Sequence, residues 1–269
     1  MDMERKKSFH DSMEPLLGHE RLHVYRRALS FVSWRESLLG EIDEQAAVLD
    51  HLARASESIV QSIANGNSRR STADRNRYFD VATGSALECA ACMDIGVLKE
   101  IISSQAQHEG KDQLRHIVRM TVGLRNANIT RLREDPNTSA DNDGFEGQIY
   151  FAHEELEVYR LGLEFIQWLH NLPQDASIGA RNSASLDKTS TSLVLNIAEG
   201  NGRFSSTDHR RFLDIAHTCA INTASGLDLA VARGRVQAER ILEGKQILRR
   251  LVPMLTGLQG YLTESGSEA

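Results

Sequence analysis

The sequence predicts an all-α protein built as two tandem antiparallel up-and-down four-helix bundles. Three observations carry this. The chain repeats itself at a fixed offset, its composition suits helices with an aliphatic core, and the same helix-ending signals recur in both copies. Hydrophobic residues make up 41% of its 269 positions, aromatics only 6%, and proline occurs four times. Val24, Tyr25 and Arg26 return as Val158, Tyr159 and Arg160, an offset of 134, and Phe31 and Trp34 return as Phe165 and Trp168. The register holds through Ile63, Ala64, Gly66 and Asn67 against Ile197, Ala198, Gly200 and Asn201. It still holds at Met120, Gly123 and Leu124 against Met254, Gly257 and Leu258.

Each unit contains four helical segments. In the second copy, Leu156, Tyr159, Leu163, Ile166 and Leu169 have helical spacing over Glu154 to Asn171, and Pro173 ends the segment. A second helix over Ser183 to Glu199 runs into Gly200 and Gly202, which suit a helix end and a tight reversal. Ser205 and Asp208, like Ser71 and Asp74, place a serine cap and a first-turn acid at the start of a third helix. That helix reaches about Arg233, where Gly234 turns the chain into a fourth from Gln237 to Leu262. Short turns make successive helices antiparallel neighbours.

The bundles are expected at 20–132 and 148–263. Between them, 133–147 is polar and glycine-containing, reads as a flexible acidic linker, and argues for two separate bundles. Residues 1–19 and 264–269 are expected to be loosely ordered. The first twenty residues lack the apolar run of a secretory signal, and no stretch reads as the roughly 18 apolar residues of a membrane span, so a cytoplasmic protein without membrane contact is expected.

Chemistry-bearing constellations are sparse. Cys89, Cys92 and Cys219 read as reduced core thiols, because the Cys89/Cys92 pair has no second pair of zinc ligands. The ten histidines show no metal-binding spacing, and the glycines at 200 and 202 lack the Lys and Ser/Thr of a phosphate loop. Glu199 has no evident acid–base partner, and its counterpart is Asn65. Neither catalysis, a metal nor a cofactor is expected.

The net charge of −6 argues at first against nucleic acid, but its distribution weakens that objection. Residues 21–131 sum to +2 and 148–262 to zero, so the acidity lies in the ends and the linker. The cations are mainly arginine and they cluster. Arg69, Arg70, Arg75 and Arg77 flank the second turn of copy one, and Arg203, His209, Arg210 and Arg211 that of copy two. Arg249 and Arg250, with Arg115 and Arg119, add charge to the fourth helices. These forks suit phosphate, and without interleaved aromatics the contact is expected to be salt-sensitive. The alternative is that they form ordinary surface pairs with acids such as Asp80 and Asp214.

Ser192 to Arg203 reads S-L-V-L-N-I-A-E-G-N-G-R, followed by R-F-L-D-I-A at Arg211 to Ala216, with a V-Y aromatic entry upstream. This pattern resembles the four-helix-bundle family of proteins encoded in intervening sequences of bacterial large-subunit ribosomal RNA genes. That family includes the accessory variability determinant of diversity-generating retroelements. The resemblance covers essentially all of copy two, whereas copy one has Ser62, Asn65 and Ser68 in place of Asn196, Glu199 and Gly202. It implies a non-enzymatic bundle that forms homo-oligomers and, in the retroelement branch, binds RNA and a reverse transcriptase. Asn196, Glu199, Gly200 and Gly202, with Asn65 and Gly66 in copy one, are then a structural or assembly motif. The leading expectation is an oligomerising adaptor for structured RNA or DNA, and the alternative is a protein–protein scaffold that does not touch nucleic acid.

Overall fold

A computed structural model describes residues 17–40, 42, 46–133, 151–172 and 180–267. Eight α-helices appear among them, and no strand. The first bundle comprises α1 (His23–Leu39), α2 (Ala47–Ser68), α3 (Thr72–Leu98) and α4 (Ser104–Arg133). The second comprises α5 (Glu157–His170), α6 (Ala180–Asn201), α7 (Ser206–Ala232) and α8 (Leu242–Ser267). Within each, every helix packs against its sequence neighbours and the first packs against the last, which is up-and-down topology.

The helix ends follow the local chemistry. Ser71 and Ser205 cap α3 and α7 by accepting the amides of Asp74 and Asp208 at 3.4 and 3.3 Å. Gly234 ends α7 with φ +66°, and Glu100, its counterpart 134 residues earlier, adopts φ 58° after α3. Both turns close through the same bond, from the Ile101 amide to the Gly96 carbonyl and from the Arg235 amide to that of Ala230. Several boundaries differ from expectation, among them the starts of α6 at Ala180 and of α8 at Leu242. A 3₁₀ turn, Ala152–Glu155, precedes α5, and α8 continues through Thr263 to Ser267, where the tail was expected. The 134–147 part of the expected linker and most of the N-terminal segment lie outside the described residues.

The two bundles are in direct contact, which the repeat pattern does not reveal. Helix α3 packs along α6 and touches α5, so one continuous apolar cluster runs through both halves. The side chains of Leu87, Ala91 and Ile95 are buried there at 3%, 0% and 0% exposure. This explains the composition of α3, which is apolar almost all round from Ala82 to Leu98. Among the described residues, α3 is the one helix long and apolar enough to cross a membrane, contrary to expectation, and most of that surface is buried inside the protein.

Candidate nucleic-acid interface and the seam between bundles

The arginines expected to meet phosphate separate into two classes. Arg69, Arg70 and Arg77 are exposed where α2 turns into α3. Arg69 donates to the Tyr78 hydroxyl at 2.7 Å and lies 4.8 Å from the centre of its ring. Arg75 is half-buried, bonded to the Arg69 carbonyl at 3.0 Å and to Asn128 at 3.4 Å, so it fixes the turn. In the second bundle, Arg210 and Arg211 are exposed in the second turn of α7. With Ser206, Thr207, Asp214, Leu262 and Thr263 they line a groove of about 410 Å³. Its position at a helix N-terminus, where amides point outward, favours an anion. Arg249 and Arg250 are exposed farther along α8, Arg250 facing Glu157 at 3.4 Å.

The alternative, pairing of these arginines with Asp80, is not seen. Asp80 is taken by Arg125 at 2.9 Å, and burial raises the Asp80 pKa against the pull of that arginine. Among the described residues, Arg69, Arg70, Arg77, Arg211 and Arg249 form no ion pair.

Arg203 must be removed from the exposed set. Its side chain is 8% exposed, ion-paired with Glu199 and 4.7 Å from the Phe212 ring centre, and it packs on Gly84 of α3. The polar end of the copy-two motif is therefore built into the seam. A Cβ on Gly202 would stand 2.7 Å from the Gly84 Cα. Burial raises the Glu199 pKa, and the nearby Glu88 of α3 adds to the rise. Asn196 donates to the Ser192 carbonyl of its own helix at 2.7 Å. Gly66 and Gly200 serve a different packing, each within its own bundle. A Cβ there would meet Phe79 at 3.0 Å and Phe212 at 2.9 Å, respectively. Asn65 is exposed.

The profile of the 23S rRNA-intervening sequence protein family matches residues 20–123 and again 154–257. The chain belongs to that family. It carries the domain twice, as a tandem duplication. No curated protein and no solved structure matches the chain.

Within this paired intervening-sequence protein, the seam continues past the glycines into polar contacts. Tyr159 donates to Asp94 Oδ2 at 2.8 Å, and Asp94 Oδ1 accepts from Gln107 at 2.6 Å and Lys111 at 2.5 Å. Lys111 also reaches Glu154 at 2.7 Å. Lys99 bonds Asp187 and the Thr191 hydroxyl, the latter at 3.1 Å. Asp94, His153 and Glu154 offer donor atoms within 4.8 Å of one another, a set that would suit a metal. The Lys111 ammonium, ion-paired with both carboxylates, places a positive charge at the same point. His153 is fully buried, and neither ring nitrogen has a hydrogen-bond partner. Burial, with Lys111 nearby, lowers its pKa to about 3, so it is neutral at physiological pH. Cys89 and Cys92 are buried free thiols whose pKa burial raises well above the ordinary value.

The sequence reading missed Tyr159, Asp94 and Lys111 as seam residues. The available signal was the small and apolar run of α3, since α7 carries Thr218, Thr223 and Ser225 where α3 has Gly84, Cys89 and Ala91.

Proposed function

We propose that the protein is a non-enzymatic, cytoplasmic, oligomerising adaptor that binds structured RNA or DNA by phosphate contact. The proposed protein partner is a reverse transcriptase, the partner implied by the retroelement branch of its family. The observation that carries the nucleic-acid reading is the set of exposed arginines at the α2–α3 turn. Arg69, Arg70 and Arg77 are exposed there and, among the described residues, none of them forms an ion pair, although Asp74 lies in the same turn. Membership of a family tied by its description to 23S rRNA intervening sequences supports the same class of ligand.

Arginine forks reach phosphate oxygens in pairs, and Arg69, held on the Tyr78 ring, is partly pre-organised for that contact. The α6–α7 end contributes Arg210 and Arg211 over their groove. The contact is to backbone, so affinity falls with salt and varies little with sequence.

The test is fluorescence anisotropy with a labelled RNA hairpin over a salt series. Arg69→Glu, Arg70→Glu and Arg77→Glu together are expected to weaken binding at least tenfold at low salt. Unchanged binding in that triple variant, or no binding by the parent at low salt, overturns the reading. Arg203→Glu is unsuitable, because it would disrupt the seam.

A further inference from the structure

We infer that the outer face of the second bundle is a docking surface for a second copy of this chain, whose first bundle lies on α7 much as α6 lies on α3. This rests on the reading of the protein as an oligomerising adaptor and names the surface that would do it. The seam is head-to-tail: the back of bundle one, α3 and α4, receives the front of bundle two, α5 and α6. A head-to-tail contact between two repeats leaves one front and one back unused. Here those are the front of bundle one and the back of bundle two.

Both unused faces keep seam chemistry. Ile221, Ser225 and Leu229 on α7 stand 134 residues after Leu87, Ala91 and Ile95. The earlier three are buried, whereas Ile221 and Leu229 are 44% and 49% exposed. Asp228 and Lys245 form a 2.6 Å pair at the positions of Asp94 and Lys111, but no tyrosine caps it. That tyrosine exists at the other end of the chain. Tyr25 meets His19 edge-on with centroids 4.7 Å apart, as Tyr159 meets His153 at 4.7 Å. The charges are kept only in part: Arg233 occupies the position of Lys99, but Ala53 stands where its ion-pair partner Asp187 does, and Glu57, at the position of Thr191, already faces Arg35 at 4.0 Å.

The joint between chains must be looser than the seam. Ser68 and Thr218 replace Gly202 and Gly84, so the backbones cannot cross as closely there, and Gln61 stands where Leu195 is buried. The second copy therefore binds reversibly through the Tyr25 end of its front face.

The test uses nuclease-treated full-length protein in sedimentation velocity, from about 1 to about 100 µM, the range of reversible association. The parent is expected to gain mass with concentration. A back-blocked chain (Ile221→Arg with Leu229→Arg) and a front-blocked chain (Glu57→Lys with Gln61→Lys) each stay monomeric, all four positions being exposed. Mixed in equal amounts, they give a species of twice the monomer mass and nothing larger, because each supplies the face the other lacks. A parent that stays monomeric throughout, a blocked chain that still associates, or a mixture that remains monomeric while the parent associates overturns the inference. The last outcome would mean that like faces pair. Circular dichroism checks folding, and a variant with reduced helicity is replaced by the corresponding serine substitutions. Nucleic acid is absent, so failure here leaves the arginine reading standing, and the anisotropy experiment can fail without touching this one.

Discussion

Gly202 rests on Gly84 with backbone against backbone: a side-chain carbon on Gly202 would lie 2.7 Å from the Gly84 Cα and 3.0 Å from its nitrogen. The Gly84 amide belongs to a helix and cannot yield as a flexible side chain would. Gly202→Ala is therefore expected to cost about 1–3 kcal/mol, the usual range for overpacking. Thr218→Ala, on the exposed counterpart of Gly84, should stay within about 0.5 kcal/mol. Urea unfolding of the two variants checks the contrast.

Tyr159→Phe removes the hydroxyl that donates to the buried Asp94 carboxylate at 2.8 Å. Hydrogen bonds to charged groups contribute about 1.5–3 kcal/mol, and a loss in that range is expected. Tyr25→Phe at high dilution should change stability less, because the Tyr25 hydroxyl has no such acceptor within the described residues of its own chain. Thermal or denaturant unfolding at one protein concentration gives the comparison.

Acidification should loosen the seam through His153. Its folded pKa of about 3 lies below the ordinary 6.5, so the unfolded chain takes up a proton that the folded chain refuses. Stability is full above about pH 6.5 and declines as pH falls toward 3, by up to about 1.4 kcal/mol per unit. Glu199 acts in the opposite sense, since its raised pKa makes the folded state the better proton binder at acid pH. His153→Leu should flatten the decline between about pH 6.5 and 5, above the ordinary carboxylate range. Urea midpoints over that interval would show an unchanged slope if His153 were not its source.

Glu100 holds a left-handed backbone, φ 58°, where the second copy uses Gly234. A side chain in that conformation costs about 1–2 kcal/mol. Glu100→Gly is expected to stabilise the protein by about 0.5–1 kcal/mol after the added freedom of the unfolded chain is counted. A lower melting temperature in the variant would contradict this.

Much of the fold was legible because the signals for it are local. The serines at 71 and 205, the glycine at 234 and the 134-residue register each act within one bundle, and each bundle formed around them. The seam was not legible from the repeat, because Asp94, Lys111 and Tyr159 recur in the other copy without making it, and the rest of it uses positions at which the copies differ, such as Gly84 against Thr218 and Leu195 against Gln61. Arginine clustering was legible, but burial was not. Arg69 and Arg203 occupy matching positions in the repeat, yet one stands in solvent and the other is covered by α3.

The apolar surface of α3 has a consequence for which substitutions each half can carry. Helices α3 and α7 descend from one segment, but only α3, from Ala82 to Gly96, is enclosed by protein on nearly every side. A polar residue accepted at Ser225 or Thr218 would be lethal to packing at Ala91 or Gly84, so a saturation library should show twin helices with unequal tolerance. Giving α7 the residues of α3 would add apolar surface to its exposed face, whereas giving α3 those of α7 would place polar groups in the buried seam.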